Sequence, residues 1–357
     1  MFQPRVNTIP TATSPAIPAQ TRAARISIIG KSNGVGLTRD IQLLADSLRS
    51  GGHEVTVQTI DATQARRRRS VLSQSVIGLQ HMWRGFQPGE RQAAVDLNLM
   101  LEHVWPEFLS QARGNIIVPN PEWFDRHDLR FLERTDVVWA KTQQTDRIFQ
   151  QLGRATQFVG FDSEDRYDPA VPRERRCFHL AGKSTMKGTD RLLRVWAQQP
   201  HWPTLTVIQH SASLHAPEIR AANIDRRVGY LDDAQLRREQ NACMFHLCPS
   251  LTEGWGHYIV EALGVGAVPI TVDAPPMNEL VTAERGLLMP YERTGTQRLA
   301  QTHYFSTAGL HSAMERVIAM SDEEWARLSA NARGWFETNR QDFPRRVQAS
   351  VRDFLCK

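Results

Sequence analysis

Two glutamates, Glu253 and Glu261, are separated by seven residues in the stretch CPSLTEGWGHYIVEALGVGAVPI. The pattern predicts a strand, then a loop, and then a helix that begins near His257, so that Glu261 lies one helical turn further on. Gly254 and Gly256 let the backbone come close to a ligand, and the N–H groups of a helix start suit phosphate or sugar oxygens. The stretch therefore predicts a ligand site; two solvated acids at a helix start are the alternative.

Two lysines, Lys183 and Lys187, each adjoin a glycine in the stretch AGKSTMKGTD. Gly-Lys-Ser occurs here and again at residues 30–32, but a P-loop also needs a glycine five residues before that glycine. Cys177 and Arg25 stand at those places, so neither stretch is an ATP-binding P-loop. Lysines beside glycines at a strand end are predicted to bind phosphate, the alternative being ordinary surface lysines.

Short β-rich runs alternate with helical patterns along the chain, which favours an α/β fold with parallel sheets. The predicted strands are RISIIG, EVTVQTI, DLNLML, NIIV, DVVWA, CFHLAG, TLTVIQ, MFHLCP and AVPITV. The predicted helices cover residues 37–50, the stretch WPEFLSQA, residues 142–152 and residues 321–356.

The same pattern predicts how the chain divides into domains. We expect a disordered tail over 1–21, one doubly wound domain over 22–165, a linker over 166–176 and a second such domain over 177–335. A final helix over 336–357 would cross back to the first domain. Two such domains place a ligand cleft between them, at the carboxyl ends of their strands.

Composition narrows the class of protein. At 357 residues and 41% hydrophobic the chain can bury a core, and its apolar runs are shorter than the roughly 20 residues of a membrane span. Four cysteines without a C-x-x-C pair predict reduced thiols and a cytoplasmic protein. The formal charge of +5 fits an anionic ligand, a membrane surface or a nucleic acid, and does not select among them. The basic run Arg66–Arg69 would be a solvated face or a lipid contact.

The frame S-x-x-E-G-x-G-x-x-x-x-E-A-x-x-x-G, from Ser250 to Gly266, resembles the signature of retaining GT-B glycosyltransferases of the family 4 type. Lys183 and the pair Lys187-Gly188 occupy the places of that family's basic positions. The stretch NGVGLTRDIQLLADSLRSGGHEVTV is similar to the family's first glycine loop, helix and strand entry. Gly34 and Gly36 are the candidate donor contacts in it, and a simple tight turn is the alternative.

The resemblance implies a GT-B fold and a role for each residue of the second domain. Glu253 would contact sugar hydroxyls, and Glu261 would accept hydrogen bonds from the ribose. Lys183 and Lys187 would stabilise the negative charge of the leaving diphosphate, Lys187 and Glu253 being the catalytic candidates. Amides of the donor loop would hold the donor, and this loop comprises Glu253, Gly254, Trp255, Gly256 and His257. No metal and no cofactor beyond the donor is expected.

The acceptor side is predicted at the strand ends of the first domain. The stretch VPNPEWFD offers Asn120 and Glu122 there, and Glu102 closes the neighbouring strand. A carboxylate at a strand end can orient or deprotonate an acceptor hydroxyl, which makes Glu122 a third catalytic candidate. A structural role for that carboxylate is the alternative.

The function expected from these residues is transfer of a sugar from a nucleotide-diphosphate sugar to a hydroxyl, with retention at the anomeric carbon. The expected acceptor is a glycan or a lipid-linked glycan, with peripheral contact at the inner face of the membrane. A sugar phosphorylase or epimerase on the same fold, or a non-catalytic carbohydrate-binding or scaffold protein, are the alternatives. A nucleic-acid partner is not expected, because the sequence lacks a recognition motif.

Overall fold

The structure is a computed structural model that describes residues 23–31, 34, 36–60, 93–211 and 219–356. The tail predicted over residues 1–21 and the basic run Arg66–Arg69 lie outside these residues. Within them, the chain forms two layered α/β domains, each built on a six-stranded sheet.

The first domain is a parallel sheet in the order β2-β1-β3-β4-β5-β6. Its strands are β1 (Arg25–Lys31), β2 (Glu54–Ile60), β3 (Val95–Glu102), β4 (Ala112–Pro119), β5 (Val137–Ala140) and β6 (Thr156–Phe158). Its helices are α1 (Gly36–Ser50), α2 (Arg126–Leu132) and α3 (Gln143–Gln151). The strand order reverses between β1 and β3, and a ligand crevice is expected at the carboxyl ends of these two strands.

The second domain is a parallel sheet in the order β12-β11-β10-β7-β8-β9. Its strands are β7 (Glu174–Gly182), β8 (Leu205–Gln209), β9 (Ile224–Val228), β10 (Cys243–Cys248), β11 (Val268–Val272) and β12 (Leu287–Met289). Its helices are α4 (Thr189–Trp196), α5 (Asp233–Ala242), α6 (His257–Gly264) and α7 (Met277–Leu280). Here the order reverses between β7 and β10, which end beside the two lysines and the donor loop.

An antiparallel hairpin, β13 (Tyr291–Gln297) and β14 (Ala300–Phe305), follows β12 and lies outside both parallel sheets. The N–H of His303 donates to the carbonyl of Leu251 at 2.7 Å, and the N–H of Leu299 donates to the carbonyl of Pro121 at 3.1 Å. The hairpin therefore reaches from Leu251, just before the donor loop, to Pro121, just after β4 in the first domain. The sequence analysis did not predict it.

Two helices complete the chain, α8 (Thr307–Ala319) and α9 (Asp322–Leu355). Near its start, α9 packs on the second domain, where the Trp325 indole donates to the carbonyl of Met244 at 3.2 Å. Near its end it meets the first domain, where Gln348 bonds the side chain of His53 at 3.1 Å and the carbonyl of Ser47. One continuous helix thus contacts both domains, starting earlier than the predicted final helix.

The helix predicted at WPEFLSQA is wrong. Only a single 3₁₀ turn forms there, over Pro106–Phe108, and β4 begins at Ala112. The side-chain amides of Asn98 and Asn115 donate to the carbonyls of Phe108 and Leu109, at 2.7 and 3.0 Å. These bonds occupy carbonyls that a continuing helix would use.

The connection between the two sheets begins and ends earlier in the chain than the linker predicted over 166–176. Strand β7 begins at Glu174, three residues before the predicted start of the second domain, and pairs with β10 from there. The connection between the sheets therefore runs from 159 to 173, since β6 ends at Phe158.

Candidate functional site

The donor loop begins where β10 ends, and Gly256 makes the turn into α6. Gly256 has a φ of 92°, a left-handed conformation that favours glycine, and no side chain caps the helix there. Tyr258 O–H donates to Ser250 Oγ, which in turn donates to Glu253 Oε1, and each contact is 2.5 Å long. Burial raises the pKa of Glu253. The loop thus holds Glu253 in place and leaves the start of α6 without a side-chain cap.

Lys187 lies beside this loop. Its ammonium donates to the carbonyl of Leu180 at 2.8 Å and lies 3.9 Å from the centre of the Tyr258 ring. Burial lowers the pKa of Lys187, while the charges of Glu253 and Glu261 oppose that shift. The structure therefore brings three of the predicted donor-site residues together around one crevice.

The two glycines that adjoin the lysines both have positive φ, 56° at Gly182 and 64° at Gly188. A Cβ on Gly188 would lie 2.6 Å from the carbonyl oxygen of Pro249, so this position has no room for a larger residue. Lys183 follows Gly182 and is exposed. Lys183 is therefore not part of the buried group around Lys187.

Glu261 is buried on α6, and both of its carboxylate oxygens have protein partners. Arg39 Nη1 donates to Oε1 at 2.5 Å, and Gln240 Nε2 donates to Oε2 at 2.8 Å. Arg39 comes from α1 of the first domain. A ribose that binds the Glu261 carboxylate would therefore have to share it with Arg39 or displace Arg39.

The side chain of His257 also crosses the cleft. Its Nε2 donates to Asp40 Oδ1 at 2.5 Å, and its Nδ1 bonds Ser163 Oγ at 2.8 Å. Asp40 accepts a second bond, of 2.8 Å, from the buried ammonium of Lys141. Burial alone would raise the pKa of Asp40, but the charges of Lys141 and His257 outweigh it and lower this pKa to about 2. The carboxylate is therefore ionised and joins the two domains.

Trp255 is buried with only 5% of its surface exposed, and its indole N–H donates to Ser163 Oγ at 3.2 Å. Its ring lies edge-on to Phe161, with 6.3 Å between ring centres. The ring is therefore a packing element, and only the backbone of this residue is placed for a ligand.

The glycine loop of the first domain faces the start of α6. A Cβ on Gly36 would lie 3.7 Å from His257 Cδ2. Gly34 has a φ of 69°, and its N–H donates to Thr38 Oγ1 at 2.9 Å. Gly34 therefore makes a turn that glycine favours, while Gly36 lies against the donor side of the cleft.

The predicted acceptor residues lie on the opposite wall. Asn120 follows β4 and touches Gly254, since a Cβ on that glycine would lie 2.3 Å from Asn120 Oδ1. Glu122 is 6% exposed. Burial, together with the charges of Glu253 and Glu102, raises the pKa of Glu122 to about 8. Asn120 Oδ1 and Glu122 Oε2 are buried and have no hydrogen-bond partner among the described residues.

Glu102, at the end of β3, has a φ of 66°, which is rare for a residue other than glycine. Its carboxylate lies 3.4 Å from His103 Nε2, and His103 Nδ1 lies 2.9 Å from a buried oxygen of Asp128. Strained backbone and a carboxylate–histidine–carboxylate row beside Glu122 are typical of functional sites.

The sequence analysis missed several residues that shape this site: Arg39, Asp40, His103, Lys141 and Ser163. The sequence did contain a signal for Asp40. This acidic residue lies on the apolar face of α1, which packs on the core through Leu37, Ile41 and Leu44. An ionisable group on a buried face indicates a partner elsewhere in the fold.

The protein resembles known proteins in its three-dimensional structure and not in its sequence. No protein-family model matches the sequence, and no curated protein matches it significantly. A sucrose-phosphate synthase from Thermosynechococcus elongatus matches with a TM-score of 0.67 and 15% identity, over 93% of this chain and 99% of that one. HepE from Anabaena, in complex with UDP-glucose, matches with a TM-score of 0.62 and 15% identity, over 93% and 99%.

A glycosyltransferase from Rickettsia africae matches with a TM-score of 0.61 and 11% identity, over 94% of this chain and 98% of that one. At these identities the likeness shows the fold. The chain has the α/β fold of GT-B glycosyltransferases, with two doubly wound domains that face each other across a cleft.

Proposed function

We propose that the protein is a retaining glycosyltransferase of the family 4 type, which transfers a sugar from a nucleotide-diphosphate sugar to a hydroxyl acceptor. One observation carries the proposal. The donor loop and Lys187 of the second domain meet Asn120 and Glu122 of the first domain in one crevice. The donor-side residues follow β7 and β10, where the second sheet reverses its order, and the acceptor-side residues follow β4, the neighbour of β3 in the first sheet. HepE, a structure of the same fold, binds UDP-glucose, which favours a UDP-sugar as donor.

In this proposal the second domain holds the donor. Amides of residues 254–257 and the start of α6 bind the diphosphate, and Lys187 and Lys183 stabilise the charge that builds on it as it leaves. Glu253 holds sugar hydroxyls, and Glu261 holds the ribose. No metal is part of the proposal, because lysine, amide and helix-terminus charges take the electrostatic role.

The first domain holds the acceptor. The acceptor oxygen forms a bond to the anomeric carbon as the bond from that carbon to the diphosphate oxygen breaks. The acceptor attacks on the face from which the diphosphate departs, so the anomeric configuration is kept. The acceptor proton goes to the diphosphate or to Glu122, whose raised pKa suits proton exchange near neutral pH. Asn120 Oδ1 is placed to accept a hydrogen bond from an acceptor or donor hydroxyl.

For the acceptor we propose a glycan or a lipid-linked glycan, at the cytoplasmic face of a membrane. Among the described residues, no helix combines the length and the apolar character needed to cross a bilayer. A membrane contact would therefore be peripheral in this proposal, and an acceptor assay with and without anionic vesicles measures it.

A donor screen tests the proposal. The purified protein is incubated with UDP-, GDP-, ADP- and dTDP-sugars, and its melting temperature and the release of nucleoside diphosphate are followed. A ligand at 100 times its dissociation constant adds about 2.7 kcal/mol of stability, which a melting shift reports. A hit followed by transfer to a hydroxyl, with retention seen by NMR, supports the proposal. Binding without turnover points to a scaffold protein, and turnover that needs inorganic phosphate points to a phosphorylase.

Variants connect the activity to the site. Glu253→Ala and Lys187→Ala are expected to lower turnover by about 10²-fold or more while the fold is kept, because both groups lie in the crevice. Glu315→Ala, on the exposed side of α8, is the matched control and should leave turnover unchanged. Near-normal turnover in both site variants would overturn the site assignment.

A further inference from the structure

Arg39 is a cation that the first domain places inside the donor site. It stands in the first turn of α1, and its Nη1 donates to Glu261 Oε1 on α6. The Glu261 side chain is 1% exposed, whereas the Arg39 side chain is 35% exposed. Among the described residues this is the only side-chain hydrogen bond of Arg39, and a guanidinium carries five N–H donors in all.

Glu261 does not depend on Arg39 alone. Gln240 Nε2 donates to its second oxygen at 2.8 Å, and Arg166 Nε donates to Gln240 Oε1 at 2.5 Å. The buried guanidinium of Arg166 also lies close enough for Glu261 to raise its pKa. If Arg39 moves away, Glu261 keeps a hydrogen bond and a nearby cation, so it does not become an unpaired buried charge.

Arg39 also lies close to the predicted phosphate-binding lysine. Its charge contributes to the lowered pKa of Lys187, which places the two cations near each other. Two adjacent cations repel, and a diphosphate between them relieves that repulsion. A guanidinium is suited to this task, because its planar fork binds two phosphate oxygens at once.

We propose that Arg39 is a diphosphate-binding residue that the first domain contributes to the donor site. When the nucleotide binds, Arg39 leaves Glu261 for the diphosphate, and the freed Glu261 oxygen becomes available to the ribose. The exchange replaces an ion pair between the domains with a bridge through the ligand. This inference rests on the proposed function, since it requires a nucleoside diphosphate in the crevice.

Binding of UDP, UMP and uridine tests the exchange, measured by calorimetry on the whole chain. In Arg39→Ala we expect UDP to bind about 10- to 100-fold more weakly. Uridine, which has no phosphate, should bind as well as to the wild type or more tightly, because Arg39 no longer competes for Glu261. Arg39→Lys keeps the charge but loses the fork, so its UDP affinity should lie between the two.

The matched control is Arg49→Ala, which lies on the same helix and is half exposed. It should bind all three ligands like the wild type. Unchanged UDP affinity in Arg39→Ala, or equal losses for UDP and uridine, would overturn the inference and leave Arg39 a structural ion pair. If the wild type binds none of UDP, GDP, ADP and dTDP, the proposed function itself fails, and the inference fails with it.

Discussion

Asn120 and Gly254 meet across the cleft so closely that a single added carbon has no room. A Cβ on Gly254 would lie 2.3 Å from Asn120 Oδ1 and 3.0 Å from Asn120 Cβ. Asn120 directly follows β4 of the first domain, and Gly254 lies in the donor loop of the second. This contact sets how near the two walls of the crevice come.

Gly254→Ala should therefore push the donor loop and Asn120 apart. We expect turnover to fall by about 10²-fold, since a displacement of about 1 Å at a reacting centre has that effect. Donor affinity, measured by calorimetry, should also fall in Gly254→Ala. It should return in the double variant Asn120→Gly, Gly254→Ala, because the added carbon then has space.

The control is Gly334→Ala on α9, where a Cβ meets nothing within 4 Å. It should keep full turnover and gain up to about 1 kcal/mol of stability, as alanine is the better helix former. Full activity in Gly254→Ala would contradict the close approach of the two walls.

The raised pKa of Glu122 predicts a pH-dependent stability. A carboxyl whose pKa rises from 4.5 to about 8 on folding stabilises the fold below pH 4.5, and this contribution is lost as the pH rises towards 8. The slope is at most about 1.4 kcal/mol per pH unit for one group. The Gln side chain of Glu122→Gln stays neutral at every pH. The melting temperature of this variant should therefore rise relative to that of the wild type as the pH increases from about 5 to about 9. The change falls mainly between the ordinary pKa of 4.5 and the folded-state pKa of about 8, and it levels off roughly one unit above the latter.

Glu315→Gln, exposed on α8, serves as the control and should run parallel to the wild type throughout. A constant difference between Glu122→Gln and the wild type across this range would show that Glu122 does not titrate there.

The buried pair Asp40–Lys141 predicts a large asymmetry between single and double replacements. Asp40→Leu leaves the Lys141 ammonium, with 2% of its side chain exposed, without its carboxylate, and should cost about 3–5 kcal/mol. Asp40→Leu with Lys141→Met replaces both charges by apolar groups and should recover most of that loss. Denaturant midpoints measure both.

Acid provides a second measurement of this pair. Because the pKa of Asp40 is lowered from 3.8 to about 2, its contribution to stability is present above pH 4 and is lost as the pH falls through about 2. Asp342→Ala, which breaks an exposed pair with Arg345, should change stability by less than about 0.5 kcal/mol. Equal losses in the single and double Asp40 variants would contradict a buried pair.

Alanine variants of Gly188 and Gly153 distinguish the cost of steric crowding from the cost of a left-handed backbone, both measured as lost stability. Both have positive φ, 64° and 72°, but only Gly188 faces a neighbour, the Pro249 carbonyl at 2.6 Å from its Cβ position. Gly153→Ala should cost about 1–2 kcal/mol from the left-handed backbone alone. Gly188→Ala should cost more and should also weaken nucleotide binding, because Lys187 precedes it. Equal losses of stability would show that the Pro249 carbonyl moves freely.

Local features of the fold could be predicted from the sequence. Strand β2 has the predicted bounds, because EVTVQTI alternates and Gly51-Gly52 ends the preceding helix. The start of α6 at His257 was also predicted, since two glycines leave no other helix start nearby. These signals lie within a few residues of the feature that they specify.

Contacts between distant parts of the chain could not be predicted. Arg39 and Glu261 are 222 residues apart, and Asp40 and His257 are 217 apart. No periodicity or spacing relates such pairs, because the packing of α1 against α6 selects them. The hairpin over 291–305 was missed for the same reason: it is stabilised by carbonyls of Leu251 and Pro121, which its own sequence does not reveal.

The chain passes between the two domains twice, once over 159–173 and once within α9, and these two passages are bonded to each other. Asn339 Nδ2 donates to the carbonyl of Phe161 at 2.8 Å, and Arg346 Nε donates to the carbonyl of Val159 at 2.7 Å. Because the two passages are bonded to each other, sliding one domain past the other would break these bonds, whereas rotation about an axis through the passages would keep them. In such a rotation, the residues that lie farthest from the axis would move apart by the largest distance. The hydrogen bond from the Leu299 N–H to the Pro121 carbonyl also joins the hairpin to the first domain, so a rotation that widens the cleft would have to break it.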